Sequence, residues 1–112
     1  MILRIWHGRT GRTDADECQR LFNAQATAAI ARGIAGLRTI DITRRNLGAE
    51  EVEFCTIIRF DDWAAVRAFA GEEHMTRARP AVLPPAALRL LRSYDSESQH
   101  YDLVAHHGSS DS

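Results

Sequence analysis

The residues best able to move a proton are the five histidines, at positions 7, 74, 100, 106 and 107. Their spacing contains neither HxH nor HExxH, so they do not read as a transition-metal site. Cys18 and Cys55 form no CxxC; they fall in a predicted helix and a predicted strand, where they read as buried free thiols. Gly8-Arg9-Thr10-Gly11 lacks the Lys-Ser or Lys-Thr that completes a phosphate loop, and there is no GxSxG elbow. General acid–base chemistry and the recognition of flat rings are what remain.

His7 is the first catalytic candidate, because an imidazole titrates near pH 6.5 unaided and needs only a small shift to act as acid or base. It follows Trp6 on a strand, so the two point to opposite faces, and the sequence leaves open which of them faces the helices. His74, five residues after Phe69, is the second catalytic candidate, with a surface-loop histidine as the plainer reading. Trp6, Trp63 and Phe69 can stack on a flat ligand, although core packing explains large aromatics equally well. Arg4, Arg59 and Arg79 carry the planar fork that suits a phenolate or carboxylate; a solvated or salt-bridged role is the alternative for each. His100 and Tyr101 read as structural hydrogen-bonding residues.

These side chains need elements to hold them. Ile2 to Thr10 is β-prone, with Gly8 and Gly11 expected to mark the exit into a turn. Asp14 stands as an N-cap with Glu17 three residues on. Cys18, Leu21, Phe22, Ala26, Ala29 and Ile30 then recur at helical spacing as far as Gly33. After Ala35-Gly36, Ile40 and Ile42 alternate with Thr39, Asp41 and Thr43 in a strand to about Arg45; Asn46 to Ala49 has turn chemistry, and Val52 to Phe60 returns as the other half of a hairpin. Asp61-Asp62 caps a second helix that carries Trp63, Val66, Phe69 and Ala70 on one side and ends at Gly71. From Glu72 to Ser93 the prolines at 80, 84 and 85 break the pattern, and Ala86 to Leu91 fits either a short helix or an extended segment. Gln99 to Ala105 reads as the last strand.

This order predicts an α+β, ferredoxin-like βαββαβ fold: a four-stranded antiparallel sheet with both helices on one face, in a single domain over residues 1–105. Val52, Phe54, Ile58 and Phe60 occupy one side of the third strand, and Cys55 and Ile57 put further apolar surface on the other. A second copy of the chain is the expected cover for that face, giving a homodimer by sheet-to-sheet packing.

At 112 residues the chain suits one modest core, and 45% hydrophobic with 26% charged residues is globular composition. A formal net charge of −1, with 14 basic and 15 acidic residues interspersed, sets up no field for a polyanion, so nucleic acid is excluded as an expected partner. No leader and no membrane-length apolar run is legible, which makes the expected location cytoplasmic and a membrane no expected partner. Residues 106–112 are expected to be a disordered tail.

Three stretches resemble the antibiotic biosynthesis monooxygenase family of the dimeric α/β-barrel superfamily: Ile2 to Thr10, Phe60 to Gly71, and His100 to Val104. The resemblance implies a dimeric α/β barrel with a cavity between sheet and helices. It also implies enzymes that use no metal or flavin of their own, oxygenating electron-rich polycyclic phenols or breaking down haem supplied as substrate. His7 and His74 would be the catalytic residues, and Trp6, Arg59, Trp63, Phe69 and Arg79 the substrate-binding ones. The haem-degrading branch uses a Trp, an Asn and a His where this chain has Phe69, Trp6 or His7, and Arg79, so haem breakdown of that type is not expected. The function expected is a cofactor-independent monooxygenase acting on a small aromatic or polycyclic substrate. The alternatives are a non-catalytic ligand-binding or dimerisation module, and isomerisation or lactone chemistry in the same cavity.

Overall fold

A computed structural model describes residues 1–72 and 85–109. The elements run β1 (Ile2–Gly11), α1 (Ala15–Ala31), β2 (Leu37–Leu47), β3 (Glu51–Phe60), α2 (Trp63–Ala70), α3 (Pro85–Leu90), β4 (Leu91–Tyr94) and β5 (Gln99–Asp102), with a 3-10 turn at Arg12–Asp14 before α1. The sheet is antiparallel in the order β2-β3-β1-β4, and β5 also pairs with β1. It has five strands, against the four expected, and it is open rather than closed into a barrel. β4 faces the Gly8–Thr10 end of β1 and β5 the Ile2–Ile5 end, so the last strand expected over Gln99 to Ala105 is present as β5, ending at Asp102, and β4 is the additional strand.

The two-residue period of a strand decides which side chains meet the helices. Along β1 the buried set is Ile2, Arg4, Trp6, Gly8 and Thr10; along β3, which pairs Gly8 with Phe54 and Arg4 with Ile58, the helix-facing row is Val52, Phe54, Thr56, Ile58 and Phe60. The apolar residues of these rows pack into two clusters. One joins Trp6, Val52 and Phe54 to Ala15, Cys18 and Phe22 of α1 and Ala87 of α3; the other joins Ile2, Ile58 and Phe60 to Ala65 and Val66 of α2. Edge-on ring contacts at 6.0 Å (Trp6–Phe22) and 5.3 Å (Phe22–Phe54) hold the first together. The three described helices therefore cover one face, and Leu3, Ile5, His7, Arg9, Cys55 and Ile57 lie on the other.

Local signals differ from their expected roles in several places. Gly8 does not end the strand: β1 runs on to Gly11, and Gly8 is needed because a Cβ there would stand 2.5 Å from the Trp6 indole that lies across it. Asp14 makes no side-chain cap bond, since the chain enters α1 through the 3-10 turn, and Glu17 bonds Arg20 instead. Asp62 does cap α2, accepting from the Ala65 amide at 2.9 Å, and Gly71 ends it at φ 81°. Ile30, expected on the inner stripe of α1, is half exposed. Residues 85–94 satisfy both readings of their sequence, as α3 followed at once by β4. In the expected tail, residues 106–109 are exposed without regular structure, and the remainder lies outside the described residues. Among the described residues no helix is long and apolar enough to cross a membrane.

Candidate functional site

The two core clusters do not close completely on each other. On β3, Thr56 is the one polar residue between Phe54 and Ile58 in the helix-facing row, and Ala26 and Ala29 of α1 carry side chains too short to fill the space between the layers. A hollow of about 70 Å³ results, lined by Phe22, Gln25, Ala26 and Ala29 of α1, Ile40 and Ile42 of β2, Thr56 and Ile58 of β3, and Phe69 of α2. Among the described residues its wall is apolar apart from Thr56 and Gln25, and none that lines it is ionisable.

Phe69 forms one wall and has a second neighbour behind it. Its ring meets Phe60 edge-on at 5.5 Å, and the Arg4 guanidinium lies 5.9 Å from its centroid. Arg4 belongs to the buried row of β1 and is only 2% exposed, and this burial lowers its pKa to about 10, so it stays charged at neutral pH. Its Nη1 donates to His100 Nε2 at 3.1 Å across the β1–β5 pairing. Arginine cannot accept, so Nε2 must, which makes His100 the neutral Nδ1–H tautomer. Burial and the adjacent Arg4 charge both lower the His100 pKa, in the same sense. Trp63 closes the cluster, its ring 5.0 Å from that of His100.

The sequence-predicted residues divide between two faces. Trp6 faces the helices but is consumed by packing: its ring meets Phe22 and Tyr94, and its Nε1 donates to the Asp95 carbonyl at 2.8 Å. His7 faces the opposite way, as does Arg59. Trp63, expected on the inner side of α2, is 44% exposed and packs on His100 rather than lining the hollow; Ala65, Val66 and Ala70 are the buried residues of that helix. Among the described residues, Phe69 is the one expected residue that lines the cavity. His74 and Arg79 lie outside the described residues. Sequence reasoning missed Gln25, Ala26, Ala29 and Thr56 as lining residues. The signal was available: a threonine in an apolar strand row opposite two alanines on the inner helix stripe leaves a gap. His100 reads as structural in the sequence, and its pairing with Arg4 depends on a β1–β5 register that local sequence does not encode.

On the open face, Asp95 clamps His7. One carboxylate oxygen accepts from the His7 backbone amide at 3.0 Å and lies 2.9 Å from ring Nδ1, while Arg9 Nη2 stands 3.7 Å from the other oxygen. Glu53 is held between Arg9 and Arg45, at 3.1 and 2.8 Å, and these hydrogen bonds, with Arg45 the larger influence, lower its pKa. Cys55, directly across from His7, is half-buried on this face rather than in the core, whereas Cys18 is fully buried and its thiol is pushed up to about 11 by desolvation. Among the described residues no three His, Cys, Asp or Glu side chains converge as a metal site.

No protein-family model matches the sequence, and no curated protein matches it. Solved structures do match the fold. An antibiotic biosynthesis monooxygenase superposes with a TM-score of 0.62 at 18% identity, covering 94% of this chain and 100% of that one. The haem degrader MhuD of Mycobacterium tuberculosis, with two haems bound in its active site, gives 0.63 at 16% identity, covering 96% and 100%. A NIPSNAP domain protein of Burkholderia xenovorans gives 0.59 at 18% identity, covering 97% and 100%. At these identities it is the architecture that is shared, over nearly the full length of each partner. The chain has the ferredoxin-like fold of the antibiotic biosynthesis monooxygenase proteins.

Proposed function

We propose that the chain is a cofactor-independent monooxygenase-like protein that takes a small, flat aromatic compound into the hollow between α1, α2 and the sheet. The observation that carries this reading is the hollow itself: an apolar gap between two otherwise packed clusters, walled by Phe22 and Phe69 and carrying one hydroxyl and one amide. An electron-rich phenol of the anthrone type balances the reaction unaided. The ring loses a proton, its anion gives an electron pair to dioxygen, one oxygen atom becomes the quinone carbonyl, and the other leaves as water. Oxygen uptake on incubation with anthrone or a dihydroxynaphthalene, abolished by filling the hollow with Ala29→Phe, is the expected result. Uptake no greater than that of buffer removes the enzymatic reading.

One observation favours a second reading, a non-catalytic binding module: among the described residues no ionisable group lines the hollow. In that case the same compounds bind and leave unchanged. His7 has no part in the hollow in either case, because it lies on the other side of the sheet.

The open face supports a homodimer formed by sheet-to-sheet packing. Leu3, Ile5 and Ile57 form an apolar centre there, with Ile5 and Ile57 directly paired across β1 and β3, and the His7–Asp95 and Arg9–Glu53–Arg45 groups border it. His7 and Arg59 would then make polar contacts between subunits. Domain limits of 1–105, a cytoplasmic location, a catalytic role for His74 and a substrate-binding role for Arg79 belong to the same proposal.

A further inference from the structure

Phe69 is shared between two environments that are otherwise separate. On one side its ring walls the hollow; on the other it lies against the Arg4 guanidinium, which is bonded to neutral His100. The hollow measures about 70 Å³, well below the roughly 300–1,000 Å³ of pockets that hold ligands. A ring compound can occupy it only if a wall moves. Most of the wall is strand or the long helix α1, whereas Phe69 is half-buried near the end of the eight-residue α2, one residue before its last, where its ring meets Phe60 at 5.5 Å and Arg4 at 5.9 Å at the margin of the second core cluster. Among the described lining residues it is the one carried by a short helix.

When that ring turns aside, the apolar hollow and the Arg4–His100 pair become one site. Its chemistry is then specific. Arg4 is charged, and its Nη1 is engaged by a neutral imidazole nitrogen; an oxyanion is the stronger acceptor, since charge-assisted hydrogen bonds are roughly twice as strong as neutral ones. A carboxylate or phenolate on the ligand would exchange with His100 for that donor, and removal from water would strengthen the contact.

We propose that Phe69 sets the size of ligand this cavity admits, and that the ligand is a ring compound bearing an acidic oxygen, which displaces the Phe69 ring and bonds Arg4 in place of His100. This rests on the reading of the hollow as a ligand site, and it adds the acid class and the residue that selects it. Arg4 is a binding residue here, and His100 a competing acceptor rather than a base.

Calorimetric titration of the intact chain with naphthalene, 1-naphthoate and 9-anthroate tests it. Wild-type protein is expected to prefer naphthoate to naphthalene by about tenfold or more, and Phe69→Ala to raise anthroate affinity about tenfold by removing the wall. His100→Ala is expected to tighten naphthoate severalfold and leave naphthalene unchanged, a result that a purely structural His100 would not produce. Arg4→Met should erase the acid preference; if that variant does not fold, the His100→Ala result decides the matter. Equal binding of naphthalene and naphthoate, unaltered by His100→Ala, overturns the inference while leaving the hollow as a ligand site. Binding of none of the three overturns both.

Discussion

Arg4 Nη1 and His100 Nε2 stand 3.1 Å apart on adjacent strands, and since only one of the two can accept, the protonation state of the histidine follows from the contact. The bond is one of the contacts that let an arginine occupy the buried row of β1, because a guanidinium taken out of water needs acceptors.

That relationship has a pH signature. The folded His100 pKa lies below its ordinary 6.5, through burial first and the Arg4 charge second. The unfolded chain therefore binds this proton more readily than the folded one, and stability falls as pH drops below about 6.5 while remaining level above it. Urea midpoints measured from pH 7.5 down to 5 should decline in the wild type and decline less in His100→Gln. Identical slopes in the two proteins would show that His100 is not the group responsible.

Gly8 holds room for Trp6. A methyl group there meets the indole at 2.5 Å, and moving the ring breaks its bond to the Asp95 carbonyl. Gly8→Ala is expected to cost about 1–3 kcal/mol in chemical denaturation, with a shift in tryptophan emission. A neutral substitution would mean that the indole has another place to go.

The two helix starts should respond differently to the same change. Asp62→Ala removes a cap bond made at 2.9 Å and should cost about 1 kcal/mol. Asp14→Ala removes no cap bond and should stay within about 0.5 kcal/mol. Equilibrium unfolding of the two variants side by side is sufficient, and equal losses would contradict the geometry.

Ile57 tests the open face. Paired with Ile5 at the apolar centre, it should become intolerable at an interface when charged, so Ile57→Glu is expected to convert a dimer into a monomer by sedimentation equilibrium while the circular dichroism spectrum is kept. A wild-type chain that is already monomeric at micromolar concentration rules out the dimer.

Short-range chemistry determined much of this molecule. The Asp62 cap, the Gly71 stop, the hairpin from Leu37 to Phe60 and the helical stripe of α1 follow from residues a few positions apart, so they were legible in the sequence. So was the alternation that sends Trp6 and His7 to opposite faces, but not its sign. That was decided by packing: Trp6 meets Phe22 and Phe54 in a core that a half-exposed imidazole would leave unfilled. Asp14 looked like a cap and is none, because the 3-10 turn ahead of α1 changes the approach of the chain. Only the tertiary structure brought Arg4 to His100, 96 positions away, and set Phe69 between that pair and a hollow made by Thr56 of β3 and Ala26 and Ala29 of α1. Strand register and the fit between layers are sums over many distant contacts, so no local pattern contains them.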